Sequence, residues 1–481
     1  MRPPSGPAPV RVLRGGRSRD RPEGIRAEQR ESRMSDSLET LAHALLDAAR
    51  KAGAEAADAL VAEGTSVSID VRGSVLEQAE RSEAVELGLR VLIGTRQACV
   101  SASDTRAETL SAVAERAVAM AREAPEDATV GLADPSQLAT SWDLAALEMA
   151  DPTDEPDPAE LENDARRAES AALAVKGVSQ VQGAGAGYGR NRIHLAATNG
   201  FSGGYARTSR ATHCVAITGE GTKMERDGFG DGRVWQADLM RPEEIGRTAG
   251  ERAVERAGAR KPRTGAYPVL YDERVAASLI GHLLGAVNGN AIARGASWLR
   301  DALGESLLPE GLSLIEDPLR PRAGSTRPFD AEGLPATARA IVDRGVLTGW
   351  TLDLGTARKL GMESTASASR GTSSPPSPGI TNVALTQGKK SRADLIAEMG
   401  TGLLVTSMMG SSVNPTTGDY SRGAAGFWVE GGEIAYPVNE CTIAGNLRDM
   451  LRRIIPANDA RLHLSTVVPS LLVEGLTLAG A

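Results

Sequence analysis

The sequence predicts an α+β fold, and three features carry that reading. Twice in the first half an amphipathic helical stretch is followed by runs of alternating polar and apolar residues, over 34–123 and again over 159–240. Residues 241–481 are rich in strand and turn signals and hold only a few helices, so this part reads as a β-rich domain. The 481 residues include 53 glycines but only 3% aromatics, a balance that favours close backbone packing and tight turns over large aromatic pockets.

Taken in order, residues 1–33 are rich in Arg, Pro and Gly without periodicity, and are expected to be unstructured or to lie upstream of a start at Met34. In DSLETLAHALLDAARKAGA, Asp36 and Glu39 have capping-box spacing, Leu38, Leu41, Ala42, Leu45 and Leu46 share a face, and Gly53 ends the helix. The short runs DALVAEG, SVSIDVRG and EAVELGLRVLIGTRQACVSAS alternate as an antiparallel sheet requires, and a second helix over about 105–123 closes the module. Residues 124–158 are acidic and broken by prolines, which predicts a linker. A helix over 159–175 then leads into glycine-rich strands, with Asn199-Gly200 as a hairpin turn. After a helix over 242–259 and the strand YPVLY, the stretch SLIGHLLGAVNG reads as a helix that is apolar nearly all round and therefore buried. The polar, proline-rich segment 364–382 reads as a loop outside the core, either a lid or unstructured. A hairpin on Gly431-Gly432 and a helix over 445–455 capped by Asn446 complete the chain.

A formal charge of −8 argues against a general nucleic-acid binder, which needs a surplus of Lys and Arg on some face. No apolar run reaches the roughly 18 residues of a membrane span. Three scattered cysteines, Cys99, Cys214 and Cys441, give neither a disulfide framework nor a local zinc motif, and fit a reducing cytoplasm.

Residue chemistry alone yields no catalytic set. A zinc helix needs a second ligand one turn from the first, and the positions four and five away from His282 are Ala277, Ser278, Ala286 and Val287, so His282 reads as a core residue. His43 sits beside a helix's apolar stripe and His194 and His213 sit in strands, where surface or half-buried roles are the ordinary expectation. His213 and Cys214 are neighbours in a strand and point to opposite faces. The cluster GAGAGYG lacks the strand-to-helix context of a phosphate loop and reads as glycine-rich strand.

Two blocks change the functional reading. GLLVTSMMGSSVNPTTGDYSRGAAGFWVEGGEIAYPVNECTIAGNLRDML, 402–451, and RPFDAEGLPATARAIVDRGVLTGWTLDLGTARKLGMESTASASRG, 327–371, resemble the PmbA (TldE) branch of the TldD/PmbA family, and the resemblance extends from about Leu38 to the C-terminus. It implies a two-chain zinc metallopeptidase acting on unfolded peptides, in which a TldD-type partner holds the zinc through an HExxxH helix and a later cysteine. Placing Arg294–Ser297 against the corresponding turn puts Ile280 and Gly281 where His and Glu would stand and Gly285 where the second His would stand. No catalytic residue, metal ligand or cofactor is therefore expected in this chain. The segment 461–470 offers only His463 and Ser465 in place of the cysteine, and Cys441 lies earlier. Substrate contacts are expected from the segment 407–423, read as a loop, through Met408, Ser411, Ser412, Asn414, Thr416 and Asp419, which offer polar donors beside methionine. The alternatives are a free-standing peptide-binding adaptor, or a peptidase with its own site from scattered residues such as His463, Cys441 and Asp419.

Overall fold

Glu, Arg, Ala and Gln after Pro22 are good helix formers, and helix α1 (Glu23–Ala52) already begins there. The structure, a computed structural model, describes residues 23–480, so residues 1–22 of the segment expected to be unstructured lie outside the described residues. Residues 23–33 are helical backbone, a correction to that expectation, and Asp36 lies inside the helix and not at its cap.

The runs read as short strands fuse into long ones. Strands β1 (Ala56–Arg72), β2 (Val75–Ile93) and β3 (Arg96–Ala102) are followed by α2 (Ala107–Glu123), α3 (Pro158–Leu173), β4 (Val178–Ala197), β5 (Ser202–Thr218), β6 (Glu225–Arg233) and α4 (Pro242–Glu255). All six strands form one antiparallel sheet in the order β3-β2-β1-β4-β5-β6, so the two helix-and-strand modules share a single sheet through the β1–β4 pairing. Gly64, read as a break, keeps its place in the ladder opposite Ala84 and Asn191, and the strand runs through it. The turn at Asn199-Gly200 forms as expected, with Gly200 at φ +101°.

Alternation along β1 assigns the faces. Ala57, Ala59 and Val61 pack with Leu87, Leu89 and Val91 under Leu38, Ala42 and Leu45 of α1 and Leu110, Val113 and Ala117 of α2. Farther along the same face Val67, Ile69 and Val71 pack with Leu161, Ala165 and Ala168 of α3 and Ile245, Ala249 and Ala253 of α4. At about 1.5–3 kcal/mol for each large aliphatic side chain taken from water, these two small cores hold the helices on the sheet. Helices α3 and α4 approach closely because Gly246 has no side chain, since a Cβ there would stand 1.9 Å from the Ala168 carbonyl oxygen.

The opposite face meets the C-terminal domain. Leu60, Leu195 and Phe201 pack on Phe329, and Trp142 of the 124–158 segment stacks edge-on to Phe329 at 4.9 Å, so this linker is pinned at its middle. Beside this contact the 364–382 segment does enter the interior, contrary to expectation. Arg370 is fully buried against Asp58, which also accepts from Arg90 Nε at 2.7 Å, and Gly88 faces the backbone of Thr372. Polarity misled the sequence reading because the buried cations find a buried carboxylate across the interface.

In the C-terminal domain, β7 (Gly265–Tyr271) is followed by α5 (Glu273–Ala286), β8 (Gly402–Val413), β9 (Asp419–Glu430), β10 (Glu433–Asn446), α6 (Leu447–Leu451) and β11 (Leu471–Ala479). The strands run β10-β9-β8-β7-β11, and β10 pairs back onto β11 at Thr442↔Ala479, so the sheet closes on itself around Trp428. A sheet of five short strands, including Leu314–Glu316 and Arg339–Asp343, packs beside it. Asn446 caps α6 as expected, accepting from Arg448 N at 3.1 Å, but the helix stops at Leu451 because Ile455 leaves to pair with Leu472. Among the described residues no helix is long and apolar enough to cross a membrane.

Candidate functional site

Helix α5 is built from its cap. Asp272 accepts from Arg274 N at 3.2 Å and pairs with the side chains of Arg274 and Arg392. Burial alone would raise this carboxyl, but the two guanidiniums outweigh it and hold it below the ordinary carboxylate value. Ala276, Leu279, Ile280, Leu283 and Ala286 bury one face against Val269 and Tyr271 of β7 and Leu403 and Val405 of β8.

The other face is open, which corrects the all-round buried reading. Gly281 and Gly285 are both exposed, and a Cβ at either would meet nothing within 4 Å. A helix with a glycine at every open position looks uniformly apolar in sequence while presenting bare backbone to solvent. Ile280, by contrast, is fully buried. His282 is half-buried, its ring edge-on to Tyr420 at 5.8 Å, and its Nε2 is buried without a hydrogen-bond partner among the described residues. Burial first, and Arg422 second, lower its pKa, so the ring stays neutral. Ile280, Gly281 and Gly285 together supply no donor atom, and the single neighbouring imidazole does not make a ligand set for the metal the family uses.

The segment 407–423 is strand, turn and strand, not a loop: β8 and β9 pair from Gly402↔Val429 to Val413↔Tyr420. Met408 lies at the open edge of α5, its sulfur 3.8 Å from both Ser278 Oγ and Tyr420 Oη. Met409 is 62% exposed, and Ser412 and Thr416 are exposed. Ser411 is in β8, and its side chain lies outside the described residues. Asn414 Oδ1 accepts from Thr416 N at 2.9 Å and Thr417 N at 3.3 Å, and Asp419 accepts from Thr417 Oγ1 at 2.7 Å and Asn446 Nδ2 at 3.2 Å. Those two bonds lower the Asp419 pKa. Asn414 and Asp419 thus build the turn and Met408 packs half-buried against the core, which leaves Met409, Ser412 and Thr416 as the groups facing outward.

A cleft of about 580 Å³ lies between the large sheet and the C-terminal domain. Small residues such as Gly64, Ser66, Gly189 and Ser209 line it together with the stems of Arg190, Arg207, Arg210 and Arg233, and its far wall includes Arg322, Gly324 and His463. His463 Nε2 stands 3.2 Å from Asp231 Oδ1, and Asp231 also holds Arg233 and Met240 N. Burial and Arg233 lower the His463 pKa despite Asp231. Cys441 is elsewhere, in the core of the closed sheet with its thiol on the Ala424 carbonyl at 3.2 Å, and burial pushes it up to about 11. The structure engages His463, Cys441 and Asp419 with different partners and does not bring them together. The sequence reading missed the cleft, whose floor comes from four strands far apart in the chain, although the small residues of GAGAGYG mark one stretch of it.

The fold and cleft define a long-stranded sheet backed by two helix pairs and clamped to a closed β-rich domain. This class has solved members: the chain superimposes on a crystal structure from Bacteroides thetaiotaomicron with a TM-score of 0.85, at 26% identity over 92% of this chain and 98% of the other. TldE from Thermococcus kodakarensis shares the fold with a TM-score of 0.81, at 20% identity over 91% and 99%. Metalloprotease PmbA of Escherichia coli O157:H7 is 36% identical over 429 residues, 89% of this chain and 92% of its own length. Family models match three successive parts: PmbA/TldA metallopeptidase domain 1 over 57–121, the central domain over 151–257 and the C-terminal domain over 264–480. The chain belongs to the PmbA/TldD metallopeptidase family, in its PmbA/TldE-type group.

Proposed function

We propose that this chain is the subunit without the catalytic zinc site in a two-chain peptidase that cleaves unfolded peptides, the catalytic metal being held by a TldD-type partner. The observation that carries the reading is on α5: where a metal-binding member would place its ligands and base, this chain has Ile280 in the core and bare helix at Gly281 and Gly285. Its work is to form part of the cavity wall. The cleft, with small residues and arginines in its lining, and the exposed methionine and hydroxyl groups of the β8–β9 hairpin support that role, because they offer contacts to a peptide main chain. A cytoplasmic setting fits the free cysteines.

The test is to purify this chain, a TldD-type chain from the same organism, and the two together, and to follow cleavage of an unfolded casein. Cleavage by the pair alone is expected. Full cleavage by the TldD-type chain without this one would overturn the reading, and so would cleavage by this chain alone.

A further inference from the structure

We propose that Glu39, His43 and His194 form a zinc-binding site on the N-terminal sheet, remote in sequence from α5. This goes beyond the subunit role, since the cation here fastens a helix and takes no part in cleaving peptides. Glu39 and His43 are one turn apart on α1 and share a face, and His194 reaches them from β4. One ligand atom from each lies within 4.8 Å of the others, the one such group of three among the described residues. Glu39 Oε1 is 3.8 Å from His43 Nε2.

Ser202 of β5 supplies the fourth vertex. Its Oγ is 2.9 Å from His194 Nε2, 3.3 Å from His43 Nε2 and 3.5 Å from Glu39 Oε1. Zinc bonded to nitrogen and oxygen at about 2.0–2.1 Å sets its tetrahedral ligands about 3.3 Å apart, so these spacings need shifts of only a few tenths of an ångström on most edges. Two imidazoles and one carboxylate are a donor set that zinc uses with three protein ligands, and Ser202 stands where the water or hydroxyl of such a site sits. The ring of His194 has the room it needs because residue 204 is glycine: a Cβ there would be 2.9 Å from His194 Nδ1. The site is also reachable. The side chains of Glu39 and His43 are 49% and 50% exposed, and His194 borders a cavity of about 570 Å³ whose wall includes Leu38, Met149 and Tyr205.

The full chain, freed of metal by chelator and dialysed, is titrated with zinc chloride by calorimetry, and its thermal unfolding is followed with and without zinc. Wild type is expected to bind one zinc and to unfold at higher temperature with it. Glu39→Gln, His43→Gln and His194→Ala are each expected to lose at least about ten-fold in affinity and most of the thermal shift. If His194→Ala does not fold, the two half-exposed positions still decide. Zinc binding unchanged in both Glu39→Gln and His43→Gln would overturn the proposal, as would wild-type chain that binds none and leaves these groups as a hydrogen-bonded cluster on Ser202. Because zinc binding by the isolated chain is the readout, failure here and failure of the partner-dependent peptidase reading are separately visible.

Discussion

The guanidinium of Arg370 lies fully buried on the carboxylate of Asp58, joining residues 312 positions apart across the boundary between the large sheet and the C-terminal domain. Burial would raise Asp58, but Arg370 and Arg90 together hold it below its ordinary value. Removing a buried partner outright costs about 3–5 kcal/mol, and Arg90, still bonded to Asp58, offsets part of that here. Arg370→Ala is therefore expected to lower the unfolding free energy, read from urea denaturation of the whole chain, by an amount approaching that figure. A loss under about 1 kcal/mol would mean that water reaches Asp58 once the arginine is gone.

Glu332, close to this cluster, gives the opposite pH behaviour. Burial first and the Asp330 carboxylate second push it up to about 8, while its Oε2 accepts from Leu354 N at 2.8 Å. The folded chain keeps a proton that the unfolded chain releases above about 4.5, so this contribution to stability is complete below that value and is lost as pH rises through 8. Glu332→Gln keeps the hydrogen-bond acceptor without the charge. It is expected to flatten the fall and to raise stability at pH 9 by at least about 1.4 kcal/mol, the equivalent of one pKa unit. Thermal unfolding of both proteins from pH 5 to 9 checks it.

The bare face of α5 predicts a stabilisation. Gly281→Ala and Gly285→Ala each meet open space, and each is expected to add about 0.5–1 kcal/mol by reducing the freedom of the unfolded chain. Ile280→His places an imidazole in the core and is expected to cost more than about 2 kcal/mol. Denaturant curves of the three variants measure both. If the alanine variants are more stable but the proposed two-chain peptidase is slower, the bare helix is a contact surface, and its glycines are kept for approach.

Periodicity made the helices and the strand directions legible, because one buried face leaves a pattern of 3.6 or 2 in the sequence. Strand length was not legible: Gly64 reads as a stop, and only its two neighbouring strands keep it in the ladder. Segment 407–423 was misread for a related reason, since its serines and glycines satisfy a bulged hairpin as well as a loop. The Asp58–Arg370 pair and the Glu39–His43–His194 group were invisible because each joins residues more than 100 positions apart, and His43 and His194 taken singly look ordinary. Only the family resemblance suggests that the glycines at 281 and 285 stand where ligands would be; nothing in their local sequence marks them.

The β8–β9 hairpin separates residues that build it from residues free to touch a peptide. Asn414 closes the turn with two bonds to backbone N–H groups, so Asn414→Ala is expected to cost about 1 kcal/mol. Met409 is 62% exposed, and Met409→Ser is expected to change stability by less than about 0.5 kcal/mol. A raised KM of the proposed two-chain peptidase in Met409→Ser, with unfolding unchanged, would mark a peptide contact. An unchanged KM would leave the hairpin as wall alone.

Cys441 tests whether this chain has nucleophilic chemistry of its own. A nucleophilic cysteine needs a lowered pKa and access, whereas Cys441 is 4% exposed, bonds the Ala424 carbonyl and is raised to about 11. At pH 8 only about one thiol in a thousand would be ionised. Iodoacetamide on the native chain, read by mass spectrometry, is therefore expected to label Cys99, which is half-buried, well before Cys441 or the buried Cys214. Cys441→Ser is expected to leave the rate of the proposed two-chain peptidase unchanged while lowering stability slightly through the polar hydroxyl in the core. Rapid labelling at Cys441, or a peptidase abolished by the serine variant while the fold is kept, would return the cysteine to the list of catalytic candidates and count against the wall-forming role.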